Sequence, residues 1–215
     1  MPRPRSFDTD TVIEQLCEYF WTHGYGATSL DEMAKHLGVK RGSLYNAFGS
    51  KEVLFNAAFE RYEVKLRGAF ETPYPGFRAI AHYFNNVITA ATTQGMGRGC
   101  FYVNLLMSSE IPTPELQKAV ERNTQFIRQF LHDHLTQAQR EGQLQSSVSV
   151  QSAADVLFAA AIAVFALART KAAPTVIQKF VDNTFRGLLI DEAWLQFEAA
   201  DFSRSETPCS LSTFT

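Results

Sequence analysis

Cysteine is scarce in this chain: three in 215 residues, Cys17, Cys100 and Cys209. Their spacing makes neither a zinc site nor a disulfide framework, so a stapled fold is excluded and no metal or other cofactor is expected. An excess of one charge is also lacking, with 20 basic against 22 acidic residues and a net charge of −2. Through Lys51 the two signs balance: Arg3, Arg5, Lys35, Lys40, Arg41 and Lys51 against Asp8, Asp10, Glu14, Glu18, Asp31 and Glu32. Affinity for a polyanion must therefore come from where charges sit, not from a bulk field. The longest apolar run, 156–168, is too short to cross a bilayer and is flanked by Asp155 and Arg169. The N-terminus is Pro- and Arg-rich and then helical, without the apolar stretch of a signal peptide. A soluble, cytoplasmic protein with no membrane partner is expected. There are no internal repeats. The glycines of 95–99 look superficially like a phosphate cradle, but no strand precedes them and no GK[ST] follows, so nucleotide binding is not expected.

What is abundant is apolar residues, 46% of the chain, enough for a real core. Their spacing is helical throughout, which predicts an all-α fold of about nine helices: an N-terminal helix-turn-helix head followed by a larger helical bundle. After an arm over 1–7, a first helix over 8–23 turns Ile13, Leu16, Phe20 and Trp21 inward, with Cys17 as a buried structural thiol. Two short helices follow. The fourth, 50–70, carries Val53, Leu54, Ala58, Phe59, Tyr62 and Leu66 as its buried stripe. Pro73, Pro75 and Gly76 break the pattern. Further helices are expected over 77–93, from Cys100 to before Pro112, from Pro114 to 141, over 150–170 and over 175–190. Residues after 201 are Ser- and Thr-rich and read as a disordered tail holding Cys209. The expected domains are thus 1–51, 52–200 and the tail 201–215.

The most informative stretch is 28–51, TSLDEMAKHLGVKRGSLYNAFGSK. Thr28 or Ser29 can cap a short helix, with Asp31 and Glu32 positioned to close a capping box. Leu30, Met33, Ala34 and Leu37 recur at helical spacing, and Gly38 ends the helix. A second short helix over 40–48 shares Leu44, Ala47 and Phe48 on one face and spreads Gly42, Ser43, Tyr45 and Asn46 around the other. Lys40 and Arg41 stand at its N-terminus. Such a helix is poor core material and suits a major groove, where small and amide side chains reach base edges and cations hold phosphate. An ordinary helical hairpin with a solvated polar face fits the same pattern.

These residues, together with Phe20, Trp21, Gly24 and Tyr25 upstream and GSKEVLF downstream, resemble the N-terminal domain of the TetR family of transcriptional regulators. The resemblance covers roughly the first 60 residues. It implies a homodimeric DNA-binding regulator, most often a repressor, on a near-palindromic double-stranded operator. Half-site centres would lie about 34–36 Å apart. It also implies that Gly42, Ser43, Tyr45 and Asn46 face the groove, with Arg41 the best candidate for guanine or backbone, Lys40 beside it at the DNA, and Lys51 on phosphate beside a helix start. Thr28 is a phosphate contact or a cap. Arg3 and Arg5 reach the DNA or belong to a free arm.

The near-continuous apolar pattern over 150–170 and the broad stripe over 175–190 exceed what a monomer core needs. They predict a four-helix dimer interface, with a self-contained core as the alternative. The resemblance further implies an effector site in the C-terminal body. Candidate lining residues are Tyr83, Phe84, Phe101, Tyr102, Phe126, Phe130, Phe158 and Phe165, with His82, Asn86, Asn104 and Asn123 as polar partners. Cys100 opens a helix beside Arg98, and both features lower a thiol pKa. RGCFYVN (98–104) resembles a TetR subgroup that includes electrophile- and oxidant-responsive regulators, so Cys100 is a candidate sensor or else a buried, inert thiol. Two other classes remain. A cysteine enzyme would pair Cys100 with His82, His132 or His134, but no acid or oxyanion motif accompanies them. A purely structural dimerisation module leaves the polar face of the short helix unexplained.

Overall fold

In a computed structural model, which describes residues 7–199 except 94 and 96, the chain is all-α, as expected. Ten helices run α1 (Thr9–His23), α2 (Leu30–His36), α3 (Arg41–Phe48), α4 (Lys51–Gly68), α5 (Gly76–Thr92), α6 (Phe101–Leu106), α7 (Pro114–Arg140), α8 (Val150–Arg169), α9 (Pro174–Arg186) and α10 (Asp191–Ala199). One more helix is present than the periodicity suggested. The stripe over 175–190 is cut at Gly187, because Gln145 N–H donates to Leu188 O and Ile190 N–H donates to Gln143 O. That pairing bridges Leu189 to Leu144 in the segment just past α7, and α10 starts afresh. Helix α6 is also shorter than expected, stopping at Leu106 well before Pro112. The arm with Arg3 and Arg5 and the tail with Cys209 lie outside the described residues.

The head is α1 to α3 packed on the start of α4. Phe20 of α1 meets Phe55 of α4 edge-on at 4.7 Å, and Trp21 meets Tyr62 at 5.3 Å. Farther along, Phe55, Phe59 and Tyr62 all pack edge-on against Phe101 of α6 at about the same centroid distance, 5.4 to 5.5 Å. One helix therefore carries both the head's floor and the contact to the body. An ion-pair group reinforces it, with Lys65 and Arg61 of α4 both on Glu14 of α1.

In the body, α5, α7, α8 and α9 enclose Ile80, Phe84, Leu131, Leu135, Leu157, Val164 and Ile177, all essentially inaccessible. The expectation that the apolar run was too short for a bilayer counted only its uninterrupted part. Helix α8 is 20 residues long, and an 18-residue window of it has a mean hydropathy of 2.0, which is long and apolar enough by composition. Its Ala153, Leu157, Ala160, Ala161, Val164 and Ala168 are instead buried among protein neighbours, and Arg128 of α7 pairs with Asp155 on it. The other face of α8, with Val156, Ala159 and Ala166, is uncovered in the single chain.

Candidate nucleic-acid interface and effector cavity

Local chemistry sets the short helices of the head. Ser29 caps α2 in a closed capping box: Glu32 N–H donates to Ser29 Oγ, and Ser29 N–H donates to Glu32 Oε2 at 2.8 Å. The Ser29 hydroxyl also donates to that carboxylate, and these bonds hold Glu32 below the usual carboxylate range. Gly38, at φ 66°, turns the chain, and Val39 N–H closes the turn on Ala34 O. Lys40 takes the N-cap position of α3 with no side-chain cap bond, so the exposed first turn keeps its amides unclaimed by a cap. Leu44 is the buried foot of α3, and Gly49 (φ 83°) stops it.

The outward face matches the expected set. Tyr45 is 58% exposed, and Gly42, Asn46, Lys40 and Arg41 are exposed beside half-buried Ser43. Arg41 donates to Asp31 Oδ2 at 3.0 Å, a partner the sequence did not reveal. As a surface pair it is worth at most about 1 kcal/mol and yields readily to a phosphate. Lys51 lies 3.8 Å over the ring of Tyr25, whose hydroxyl donates to Glu52 Oε1 at 2.6 Å. Partial burial pushes the Lys51 pKa down. The Tyr25 hydroxyl, with Ser50, pulls Glu52 down to about 2. Burial and Glu52 raise the Tyr25 phenol to about 12. This trio seats the first turn of α4 on the α1–α2 connection, and sequence spacing alone did not show it. Thr28 is different: it is 5% exposed and its hydroxyl donates inward to Tyr25 O. Of its two expected roles, Ser29 performs the capping, and the Thr28 hydroxyl faces away from solvent.

In the body, an apolar cavity of about 50 Å³ lies at the junction of α1, α4, α5, α6, α7 and α8. Tyr83, Tyr102, Phe158, Phe165, Cys100 and Asn86 line it, as anticipated, and so do Trp21 and Tyr62, which were not. Phe101 packs instead between α4 aromatics. Phe126 lies beneath Arg67 and beside Phe70, and Phe130 stacks among Phe70, Tyr83 and His134. Phe84 packs on Phe185. Asn104 sits on the opposite side of α6, donating to Arg98 O. Asn123 is buried and bonded to Glu63.

The electrostatic expectation for Cys100 is overturned. Cys100 is 1% exposed and sits 2.9 Å from the Tyr62 hydroxyl. Burial raises its thiol pKa despite the stabilising bonds from Tyr62 and the α6 backbone amides. Arg98 does not offset this, because it points to Glu18 Oε2 at 2.6 Å and lies over Trp21. Cys17, equally buried, is pushed up to about 12. A thiol beside a phenol, not an imidazole, is also no arrangement for cysteine catalysis. His134 packs on Phe130 and His82 on Tyr74.

A capped helical hairpin with a solvated polar face, carried on a helical body, is the architecture of helix-turn-helix regulators. The family profile for bacterial regulatory proteins of the tetR family matches residues 12–58, and that for the tetracyclin repressor-like C-terminal domain matches 76–184. The chain belongs to the TetR family of transcriptional regulators. Its curated relatives include the regulator YezE of Bacillus subtilis, 29% identical over 148 residues, covering 67% of this chain and 76% of that protein. The transcriptional repressor ComR of Escherichia coli is 28% identical over 160 residues, covering 72% and 76%. Among solved structures, the TetR-family regulator CifR, as a cysteine mutant complexed with 26-base-pair operator DNA, superposes with a TM-score of 0.71 at 23% identity. That match covers 86% of this chain and 99% of CifR. These are regulators, not enzymes.

Proposed function

We propose that this chain is a homodimeric repressor that reads a near-palindromic operator through α3 and is released when a small molecule occupies the body. The observation that carries the reading is the α3 face. Tyr45, Asn46, Gly42 and Ser43 are presented outward on a helix whose foot is Leu44, with Lys40, Arg41 and Lys51 at its rim. One such helix spans only a few base pairs, so specificity requires two copies. The uncovered faces of α8 and α9, where Val156 and Val176 are 45% and 51% exposed, support a dimer built on 150–170 and 175–190. In this reading 1–51 forms the DNA-binding unit and 52–200 the effector and dimerisation unit, with α4 linking them. The protein acts in the cytoplasm, on double-stranded DNA.

The effector site is the cavity walled by Trp21, Tyr62, Cys100 and Phe158. A neutral, largely apolar molecule suits it, because the lining is apolar with a few hydroxyl, amide and thiol groups, and its one cation, Lys65, is already paired with Glu14. Enlarging the cavity displaces Trp21 on α1 of the head or Tyr62 on α4, the helix that links head and body. A ligand favouring that displaced arrangement lowers operator affinity. Modification of Cys100 by an electrophile acts by the same displacement, as the added group has no room. A Cys100→Ser protein that every electrophile still releases from DNA removes that second route.

The reading is tested by selecting DNA from a random library with the purified protein at about 150 mM salt, where nonspecific phosphate binding is weakened. An enriched palindrome of two short half-sites is expected. A folded dimer that enriches nothing overturns it.

A further inference from the structure

An open cleft of about 760 Å³ lies between the end of α1 and α6, far larger than the apolar cavity and within the usual range of small-molecule sites. Head and body both build it: Thr22 to Gly26 on one side, Asn104, Leu105 and the 108–112 segment on the other, with Arg98 and Arg169 at one end. Its chemistry is lopsided. Arg169 ends α8, and its guanidinium donates to Asn104 Oδ1 at 2.9 Å, a neutral partner. Among the described residues no carboxylate lies within ion-pair distance of Arg169. Arg98 is matched by Glu18, and the cleft's own carboxylate, Glu110, sits on the 108–112 segment. Leu105, Ile111 and the edge of Phe101 make the wall between the two ends apolar, and Ser108 and Ser109 add hydroxyls.

We propose that this cleft is a second small-molecule site, separate from the apolar cavity, that takes an amphipathic organic carboxylate. The carboxylate replaces the Asn104 amide as acceptor from Arg169, so that the guanidinium donates to an anion in place of a neutral oxygen and gains the charge–charge attraction. The hydrocarbon end lies along Leu105 and Ile111. The two sites then sort ligands by charge, a neutral molecule inside the body and an anion between body and head. Trp21 lines both, its Nε1 donating to Gly99 O at 3.0 Å, so its indole is their shared wall. An occupant touching α1 and α6 together is matched to one head–body arrangement and biases the protein toward it. That consequence for DNA rests on the regulator reading, whereas binding itself does not.

The test is titration calorimetry of the full chain with 4-phenylbutyrate and, as its uncharged counterpart, 4-phenylbutyramide. The acid is expected to bind saturably and at least about tenfold more tightly than the amide, the scale of one charge-assisted bond. Arg169→Gln should remove that preference while leaving the thermal midpoint near that of the parent. Ser109→Trp, an exposed loop substitution in the wall beside Leu105 and Ile111, should abolish binding of the acid. Equal binding of acid and amide, or acid binding that survives both substitutions, overturns the proposal, as does no binding of the acid at millimolar concentration. Because binding is read without DNA, a protein that selects no operator would overturn the regulator reading and leave the site standing.

Discussion

In the head, α2 and α3 leave Tyr45 and Asn46 in solvent and fix them with bonds a few residues long: Ser29 to Glu32, Val39 to Ala34, the stop at Gly49. In the body, Cys100 and Tyr62 meet across 38 residues and Trp21 reaches Gly99 across 78. The reading surface is thus polar, exposed and locally determined. The cavity is apolar, enclosed and assembled from distant segments. The proposed operator-reading role rests on the first kind of surface, whose donors stand in solvent, and the proposed effector role on the second, whose walls come from different helices.

The comparison is broken most severely by removing the one buried residue on which the reading face stands. Leu44→Ala should cost about 2–5 kcal/mol, read by denaturant unfolding, and should take operator binding with it. Next, Tyr45→Ala should weaken the selected operator by roughly 1–3 kcal/mol in a mobility-shift titration while the melting curve stays unchanged. Unchanged affinity would remove α3 as the reader. Lys51→Ala should weaken specific and nonspecific DNA together and lower the salt slope by about 1. Ser29→Ala should cost about 1 kcal/mol through loss of the α2 cap, measured by thermal melting.

Two chemical tests sharpen the contrast further. Because burial raises the Cys100 thiol, its alkylation rate should still climb as pH rises past 9, the ordinary thiol value. A plateau near neutrality, read by mass spectrometry, would restore the activated thiol that the sequence suggested. The smallest effect is expected at Tyr25 and Glu52. Glu52 is held at about 2, so its contribution is fully present above the ordinary carboxylate value of 4.5 and fades as pH falls toward 2. Tyr25 is raised to about 12, so its share is present below 10 and fades as pH climbs through 12. Tyr25→Phe should therefore lower the melting temperature slightly at neutral pH and converge with the parent below pH 2.

The difference in range also explains what was legible in advance. The caps, the turn and the outward set on α3 follow from neighbours within four residues, so composition and spacing revealed them. The role of Thr28 did not follow, because the inward bond to Tyr25 O depends on how the chain leaves α1. Half of the aromatic candidates for the cavity do line it, but Phe101, Phe126 and Phe130 turned to other rings, since helical spacing gives a face and not its neighbour. Of the two readings of Cys100, the buried thiol is the one observed, and the activated one was misleading for a related reason. A helix start and a nearby arginine are sequence facts, but the desolvation that outweighs them, and the Glu18 that draws Arg98 away, are set by packing.

Sequence by itself determined the all-helical class, the α2–turn–α3 unit and the residues on its outer face, because periodicity, caps and glycines act over one or two turns. Tertiary structure alone decided which aromatics wall the cavity and that Trp21 of α1 and Tyr62 of α4 are among them. It also decided the burial that raises the Cys100 thiol pKa and the opening of a cleft at Arg169, because burial and charge pairing belong to segments that meet only when the chain has folded.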